Sequence, residues 1–353
     1  MRLREIGDVV FTTPAVRALR RRFPEASITY LVEPAAAAVV RLNPHLTEVI
    51  VAPRRPGITG LGADLALGRR LRLASFDIAL DFHGGPRASL LTWMSGAPTR
   101  IGYEIAGRGW MYTHRVPRAR ILRARHSVEN QWDLLTVLGV AGPDPTHDPV
   151  EMPVDVDAAH LVVERLEQAG IGQRDQLIIM HVSAGNPFRR WPTRSFADVL
   201  ARLIERRRER RGIVSSGPSE QDAAARVIAE ARAQLSTEDQ RRVVACGEFS
   251  LVELRALFER AALYIGGDSG PMHIAASSRV PIVALYGPTL PARSAPWRPS
   301  DIPVAAVEVA GLACRPCDQR VCAPGDFRCL TWIQPQQVLD AAERALSAGS
   351  TVR

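Results

Sequence analysis

The stretch YIGGDSGPMHIAA, residues 264–276, sets two glycines, Asp268, Ser269, Gly270, Pro271 and His273 between two apolar runs. The chemistry it offers is anion binding. A helix starting near Gly270 exposes unpaired N–H groups in its first turn, and its dipole favours negative charge there. Pro271 suits that turn, where its missing N–H costs little. Gly266 and Gly267 are expected to form a tight turn with positive φ. A phosphate fits this loop, and so does a plain Asp/Ser helix cap with no ligand. His273 reads as a helix-packing residue or as part of the site.

Three further loops follow short apolar runs in the same half of the chain. SAGNPFRRWP (183–192) carries Arg189 and Arg190, PSEQD (218–222) carries Glu220 and Asp222, and EFSL (248–251) carries Phe249. In a parallel sheet, loops at the carboxyl ends of strands line the binding crevice. As a set they suit a nucleoside diphosphate: guanidinium and N–H groups for phosphate, a carboxylate for ribose hydroxyls, an apolar slot for the base.

The elements that must position these loops are short apolar strands alternating with helices. Strands are expected at 26–32, 48–52, 77–82 and 99–104, then at 177–182, 212–217, 242–247, 263–268 and 281–287. Helices are expected at 9–22, 85–95, 126–139, 158–169, 194–211, after the strand 212–217 through about 234, and at 250–261, 270–278 and 336–348. The alternation predicts an α/β fold with parallel sheets covered on both faces. Residues 140–157, rich in proline and acid, read as a linker between two doubly wound domains, 1–150 and 151–335, that face each other across a cleft. A C-terminal helix, 336–353, is a candidate to cross back to the first domain. Asp155 and Asp157 lie in the linker and read as solvated acid rather than as a metal-binding pair.

The chain has 353 residues, 46% hydrophobic, with a net charge of +8. Every one of its 45 basic residues is arginine, a planar bidentate anion binder. No apolar run reaches membrane-spanning length and the N-terminus shows no signal peptide, so the expected location is cytoplasmic. Such a charge suits nucleic acid, acidic small molecules or an anionic membrane face; with no RNA-binding aromatic signature and no helix-turn-helix pattern, nucleic acid ranks low. The charged run 202–211 reads as the exposed face and end of a helix. Cys246 stands alone, whereas Cys314, Cys317, Cys322 and Cys329 form C-x2-C-x4-C-x6-C. That cluster suits a zinc site, two disulfides, or reduced thiols pinning a proline-rich loop. Disulfides are disfavoured in the cytosol, and the spacing matches no common zinc module.

The segments IGDVVFTTPAVRALRRRFP, NPFRRWP, GEFSLVEL and GDSGPMHIAASSRVPIVALYGPT, in this order, resemble the ADP-heptose:lipopolysaccharide heptosyltransferase family, glycosyltransferase family 9. The resemblance runs from Ile6 to about Leu346. It implies a GT-B fold, two Rossmann-like domains with the acceptor in the first and the nucleotide sugar in the second. It implies an inverting transfer that needs no metal or cofactor. Ser269, Gly270 and Pro271 would take the ADP diphosphate, and Asp268 would contact donor hydroxyls. Arg189 would neutralise the leaving diphosphate, with Arg190, Ser183 and Gly185 in the same loop. Phe249 would pack on adenine, Glu220 would hold the ribose, and His273 lies within the donor motif. Asp8, otherwise an N-cap, would be the general base that activates the acceptor hydroxyl.

The expected activity is therefore heptose transfer from ADP-heptose to the lipopolysaccharide inner core, on a lipid A–Kdo or core acceptor, at the cytoplasmic face of the inner membrane. Arg87, Arg120 and Arg123 are candidates for acceptor anions, though solvated surface is the plainer reading. Other expectations are a different donor sugar, a protein acceptor, or a nucleotide-sugar binding protein without turnover. Only four residues precede Glu5, so the expectation is that either the start is misassigned or the first strand of the family's first sheet is missing, which would hold Asp8 poorly.

Overall fold

The computed structural model describes residues 1–52, 57–117, 125–182 and 185–351. They form two compact units, Met1–Met152 and Pro153–Arg353. The strands are β1 Thr29–Val32, β2 Glu48–Val51, β3 Ile78–Leu80, β4 Thr99–Tyr103, β5 His114–Val116, β6 Gln176–His181, β7 Arg210–Ser215, β8 Val243–Val244, β9 Ala261–Gly267, β10 Ile282–Tyr286 and β11 Val304–Glu308. All their pairings are parallel.

The second unit holds one sheet in the order β11-β10-β9-β6-β7-β8. The order reverses between β6 and β9, and the crevice at such a switch point is where ligands bind in open α/β sheets. The helix Thr193–Arg206 buries Phe196, Leu200, Leu203 and Ile204, the spacing of one helical face, against Ile178, Met180 and Ile265 of the strands. The last helix, Pro335–Thr351, belongs to this unit. It buries Leu339 and Ala342 in the same core.

The first unit pairs β1 with β2, and β3 with β4 and β5. The expected gap between those groups is filled. Leu3 O accepts from Glu33 N at 2.7 Å, just past β1, and Met1 O accepts from Phe82 N at 3.0 Å, just past β3. Leu3 is buried with Leu31, Ile50 and Leu91. Residues 1–3 thus take the place of a first strand, with backbone bonds to both neighbours. With that segment counted, the first unit repeats the strand order of the second.

Several boundaries differ from the sequence reading. The expected helix 9–22 is two helices, Ile6–Val10 and Thr13–Arg22, because Pro14 has no N–H to continue the first and starts the second. The run 202–211 is not all exposed helix. Arg210 opens β7, is buried, and pairs with Glu343 at 2.7 and 2.8 Å. The segment read as a free linker is partly tied down: Glu151 binds Arg17 and, at 2.9 Å, Asn43, while Asp148 is buried and binds Arg21 at 2.6 Å. Asp155 caps the helix Val156–Gln168.

Candidate functional site

Two sets of side chains gather at carboxyl ends of strands. In the second unit the hub is Asp268, which directly follows β9. It is 3% exposed. Thr289 donates to Oδ2 at 2.7 Å, His273 Nε2 lies 3.3 Å from Oδ1, and Arg189 Nη1 lies 3.5 Å from Oδ2 and donates to the Asp268 carbonyl at 3.1 Å. Burial pushes the carboxyl up. The hydrogen bond and charge of His273, the Arg189 guanidinium and the Thr289 hydroxyl outweigh it and hold the group at about 2. A carboxylate engaged on both oxygens is firmly placed, and it fixes Arg189 in turn.

The two glycines ahead of it differ from expectation. Neither adopts positive φ. Both lie in β9, where what they supply is space: a Cβ at Gly267 would stand 3.1 Å from the Arg189 carbonyl oxygen, and one at Gly266 would stand 2.4 Å from the Tyr264 hydroxyl. Gly267 therefore lets the arginine-bearing loop close against the strand end.

The helix Gly270–Ala276 starts at this point with Ser269 as its N-cap and Pro271 in its first turn. Ser269 makes no capping hydrogen bond, and the Asp268 carboxylate turns to Thr289, His273 and Arg189 instead. A plain Asp/Ser cap is therefore not what this loop forms. Its first turn is left without a side-chain cap, with Arg189 beside it.

The other predicted residues take these places. Arg190 pairs with the buried Glu220 at 2.6 Å, so the phosphate and ribose candidates hold each other. Beneath Glu220, burial pushes the His181 imidazole down to about 4, and its Nδ1 meets Ser215 Oγ at 2.9 Å. Phe249 is 7% exposed with the Arg165 guanidinium 4.7 Å over its ring, which leaves little open face for a base. Gly185 precedes the turn Pro187–Arg189, while Ser183 lies outside the described residues.

Sequence reading missed Gln319, from the cysteine-bearing loop. Its Oε1 accepts from Arg189 Nε at 2.7 Å and from Asn186 Nδ2 at 3.0 Å. No motif marks it, since its partners lie more than a hundred residues away. Gln319→Ala is expected to lower ADP affinity severalfold by freeing Arg189, with stability lowered by no more than about 2 kcal/mol for two part-exposed hydrogen bonds. Titration calorimetry and urea unfolding measure the two.

In the same loop Arg315 donates to the Thr289 carbonyl at 2.6 Å. All five cysteines are free thiols. Burial pushes the Cys329 thiol up, and Cys317, Cys314 and Cys322 add to that. Among the described residues no group of three or more His, Cys, Asp or Glu side chains converges as a metal-binding set.

In the first unit, Asp8 is not an N-cap. The cap position is Glu5, in the left-handed region at φ 67°, and Asp8 stands in the first turn of Ile6–Val10. Its carboxylate is bound by Arg2, which also donates to the Phe82 carbonyl at 2.8 Å. The short first segment thus supplies the residue that holds Asp8. Next to it is a loop the sequence reading passed over, DFHGG. Asp81 is fully buried and accepts from the His83 and Gly84 N–H groups at 2.8 and 2.9 Å and from Tyr112 at 2.6 Å. Burial and the charges of Arg2 and Arg4 push the His83 imidazole down, against Asp81 and Asp8. The available signal was an aspartate at a strand end close to a pair of glycines, which follow Asp81 and precede Asp268. Arg87 is neither solvated nor open to an acceptor: it is held by Glu33 at 2.8 Å and Asp64 at 2.7 Å. Arg120 and Arg123 lie outside the described residues.

The family model for glycosyltransferase family 9 (heptosyltransferase) matches residues 65–325. The chain belongs to glycosyltransferase family 9. As a family 9 chain it is 26% identical to lipopolysaccharide heptosyltransferase 3 of Escherichia coli K12 over 308 residues, covering 84% of this chain and 83% of the relative. It is also 26% identical to lipopolysaccharide heptosyltransferase 2 of the same strain, over 298 residues and 81% of both chains. Among solved structures, a family 9 glycosyltransferase from Veillonella parvula matches with a TM-score of 0.84 at 26% identity, over 98% of this chain and 95% of that one. The E. coli ADP-heptose heptosyltransferase II matches with a TM-score of 0.76 at 21% identity, over 99% of this chain and 100% of that one. The family 9 fold, two α/β domains with parallel sheets in the GT-B class, is therefore the fold of this chain.

Proposed function

We propose that this family 9 glycosyltransferase moves heptose from ADP-heptose to the inner core of lipopolysaccharide. The observation that carries the reading is the Asp268–Arg189 pair beside an uncapped helix start at the switch point of the second sheet, in a chain whose curated relatives are lipopolysaccharide heptosyltransferases. Arg189 and the N–H groups at Ser269 and Gly270 take the diphosphate and stabilise the charge that grows as ADP leaves. Asp268 holds Arg189 and offers what remains of its acceptor capacity to donor hydroxyls. Asp8 takes the proton of the acceptor hydroxyl, so the transfer is a single displacement that inverts the anomeric carbon and needs no metal or cofactor. The enzyme works at the cytoplasmic face of the inner membrane as a peripheral protein; no described helix is long and apolar enough to cross a bilayer.

A donor screen tests this. With ADP-, UDP- and GDP-sugars, only the ADP compounds are expected to raise the thermal midpoint, and only ADP-heptose to yield product with a lipid A–Kdo or core acceptor. Transfer from UDP- or GDP-sugars at comparable rates overturns the donor assignment. Binding of ADP-heptose without transfer to any acceptor makes the chain a nucleotide-sugar binding protein instead.

A further inference from the structure

We propose that the face of the first unit carrying Trp93 and Trp110 docks on an anionic lipid membrane. Trp93 ends the helix Pro86–Met94, and Trp110 lies in the short turn Gly109–Met111. Their rings pack edge to face with centroids 5.6 Å apart, yet they are 44% and 62% exposed. Among the described residues neither indole N–H meets a hydrogen-bond acceptor. Two paired tryptophan rings left open to water are costly apolar area for a surface that serves only solvent. At a bilayer interface the same rings sit at headgroup depth with the N–H groups satisfied.

The neighbourhood extends the apolar area and surrounds it with cations. The helix Gly57–Leu73 packs on the Trp93 helix at Gly68, where a Cβ would stand 2.2 Å from the Met94 methyl. At the end of that helix Leu73 is 76% exposed. The Arg72 guanidinium lies against Gly96, 3.4 Å from where its Cβ would be, and Arg115 lies against Gly109 at 3.2 Å. Both are exposed, as is Arg69, and among the described residues none of the three has an ion-pair partner. By contrast Arg70 and Arg87 of the same helices are paired with carboxylates. An apolar centre of Trp and Leu with unneutralised Arg around it matches an anionic bilayer in both hydrophobicity and charge. It suits a second copy of this chain less well, since a chain of net charge +8 repels its own copy.

The face is continuous with the loop beside Asp8. Arg108 donates to the Gly84 carbonyl at 3.3 Å, and Tyr112 donates to Asp81. Trp93 ends the helix that begins at that loop, so its ring lies roughly 10 Å along the helix from the carboxyl edge, and docking here holds the chain at the surface where a lipid-borne acceptor resides. This purpose rests on the acceptor reading above, but binding to plain vesicles does not.

The test is co-sedimentation of the full chain with phosphatidylcholine vesicles, with and without phosphatidylglycerol. The wild type is expected to pellet with the anionic vesicles, less as salt rises. The double variant Trp93→Ser/Trp110→Ser should lose on the order of tenfold in vesicle affinity while keeping its thermal midpoint and ADP binding. Arg72→Gln/Arg115→Gln should lose the preference for anionic lipid. Equal binding by wild type and the tryptophan variant overturns the proposal. So does sedimentation velocity showing a wild-type dimer that the tryptophan variant turns into monomer, because the face then belongs to a second copy. If vesicle binding behaves as expected but no sugar is transferred, the docking surface stands and the enzymatic reading falls.

Discussion

Asp8→Asn is expected to lower the turnover of sugar transfer by a factor on the order of 10²–10⁴, the usual contribution of a general base. The amide has the shape of the carboxylate but cannot take a proton from the acceptor hydroxyl. It also keeps an oxygen for Arg2, the cation that holds the side chain in place. Asp8 is one-third exposed, so the fold depends little on it. ADP affinity and the urea midpoint should stay near wild type, because the loop proposed to take the diphosphate belongs to the other unit. Steady-state transfer assays with titration of ADP separate these quantities. A variant that keeps most of its turnover shows that proton removal lies elsewhere, and the neutral imidazole of His83 is then the next group to test. A variant that loses turnover and ADP binding together points to misfolding instead.

What could be read from the letters follows from which forces are local. The strands β6, β7, β9 and β10 are buried apolar runs bounded by Gly or polar residues, and such runs announce themselves. The edge strand β11 does not: VAAVE has small, half-exposed side chains with no strong period. Strand β5 is only three residues, two of them exposed. Asp268, Arg189 and His273 were legible because the glycine-rich loop and the arginine loop each carry a local pattern. Their supports were not. Thr289 reaches Asp268 from the next strand end, and Gln319 reaches Arg189 across 130 residues. Arg210 was misread for the same reason, since burying a guanidinium depends on Glu343, 133 residues later. The role of Asp8 rested on a resemblance. Its position in the first helical turn, held by Arg2, is a tertiary fact that local letters describe only as a cap.

Asp268→Ala is expected to cost roughly 3 kcal/mol of folding stability and to abolish measurable ADP binding, because truncating one member of a buried charged cluster leaves the others unpaired. Thr289 loses its acceptor, His273 its partner, and Arg189 both its salt bridge and the fixed position of the carbonyl it bonds. Asp268→Asn separates charge from packing. It keeps the volume and a carbonyl oxygen for Thr289, so it should fold, with weaker hold on Arg189. The pH dependence carries a definite sign. The folded carboxyl sits at about 2, below the ordinary aspartate value of 3.8, so its contribution is complete above pH 4 and is lost as pH falls through 2. Urea unfolding of wild type and Asp268→Asn should therefore differ by roughly 2 kcal/mol at pH 6. The gap should narrow between pH 4 and pH 2. A constant gap across that window means that the carboxylate charge contributes nothing to the fold, and Asp268 then acts by shape alone. If the gap narrows as expected while Asp268→Asn binds ADP like wild type, the cluster stabilises the fold without positioning Arg189 for the diphosphate.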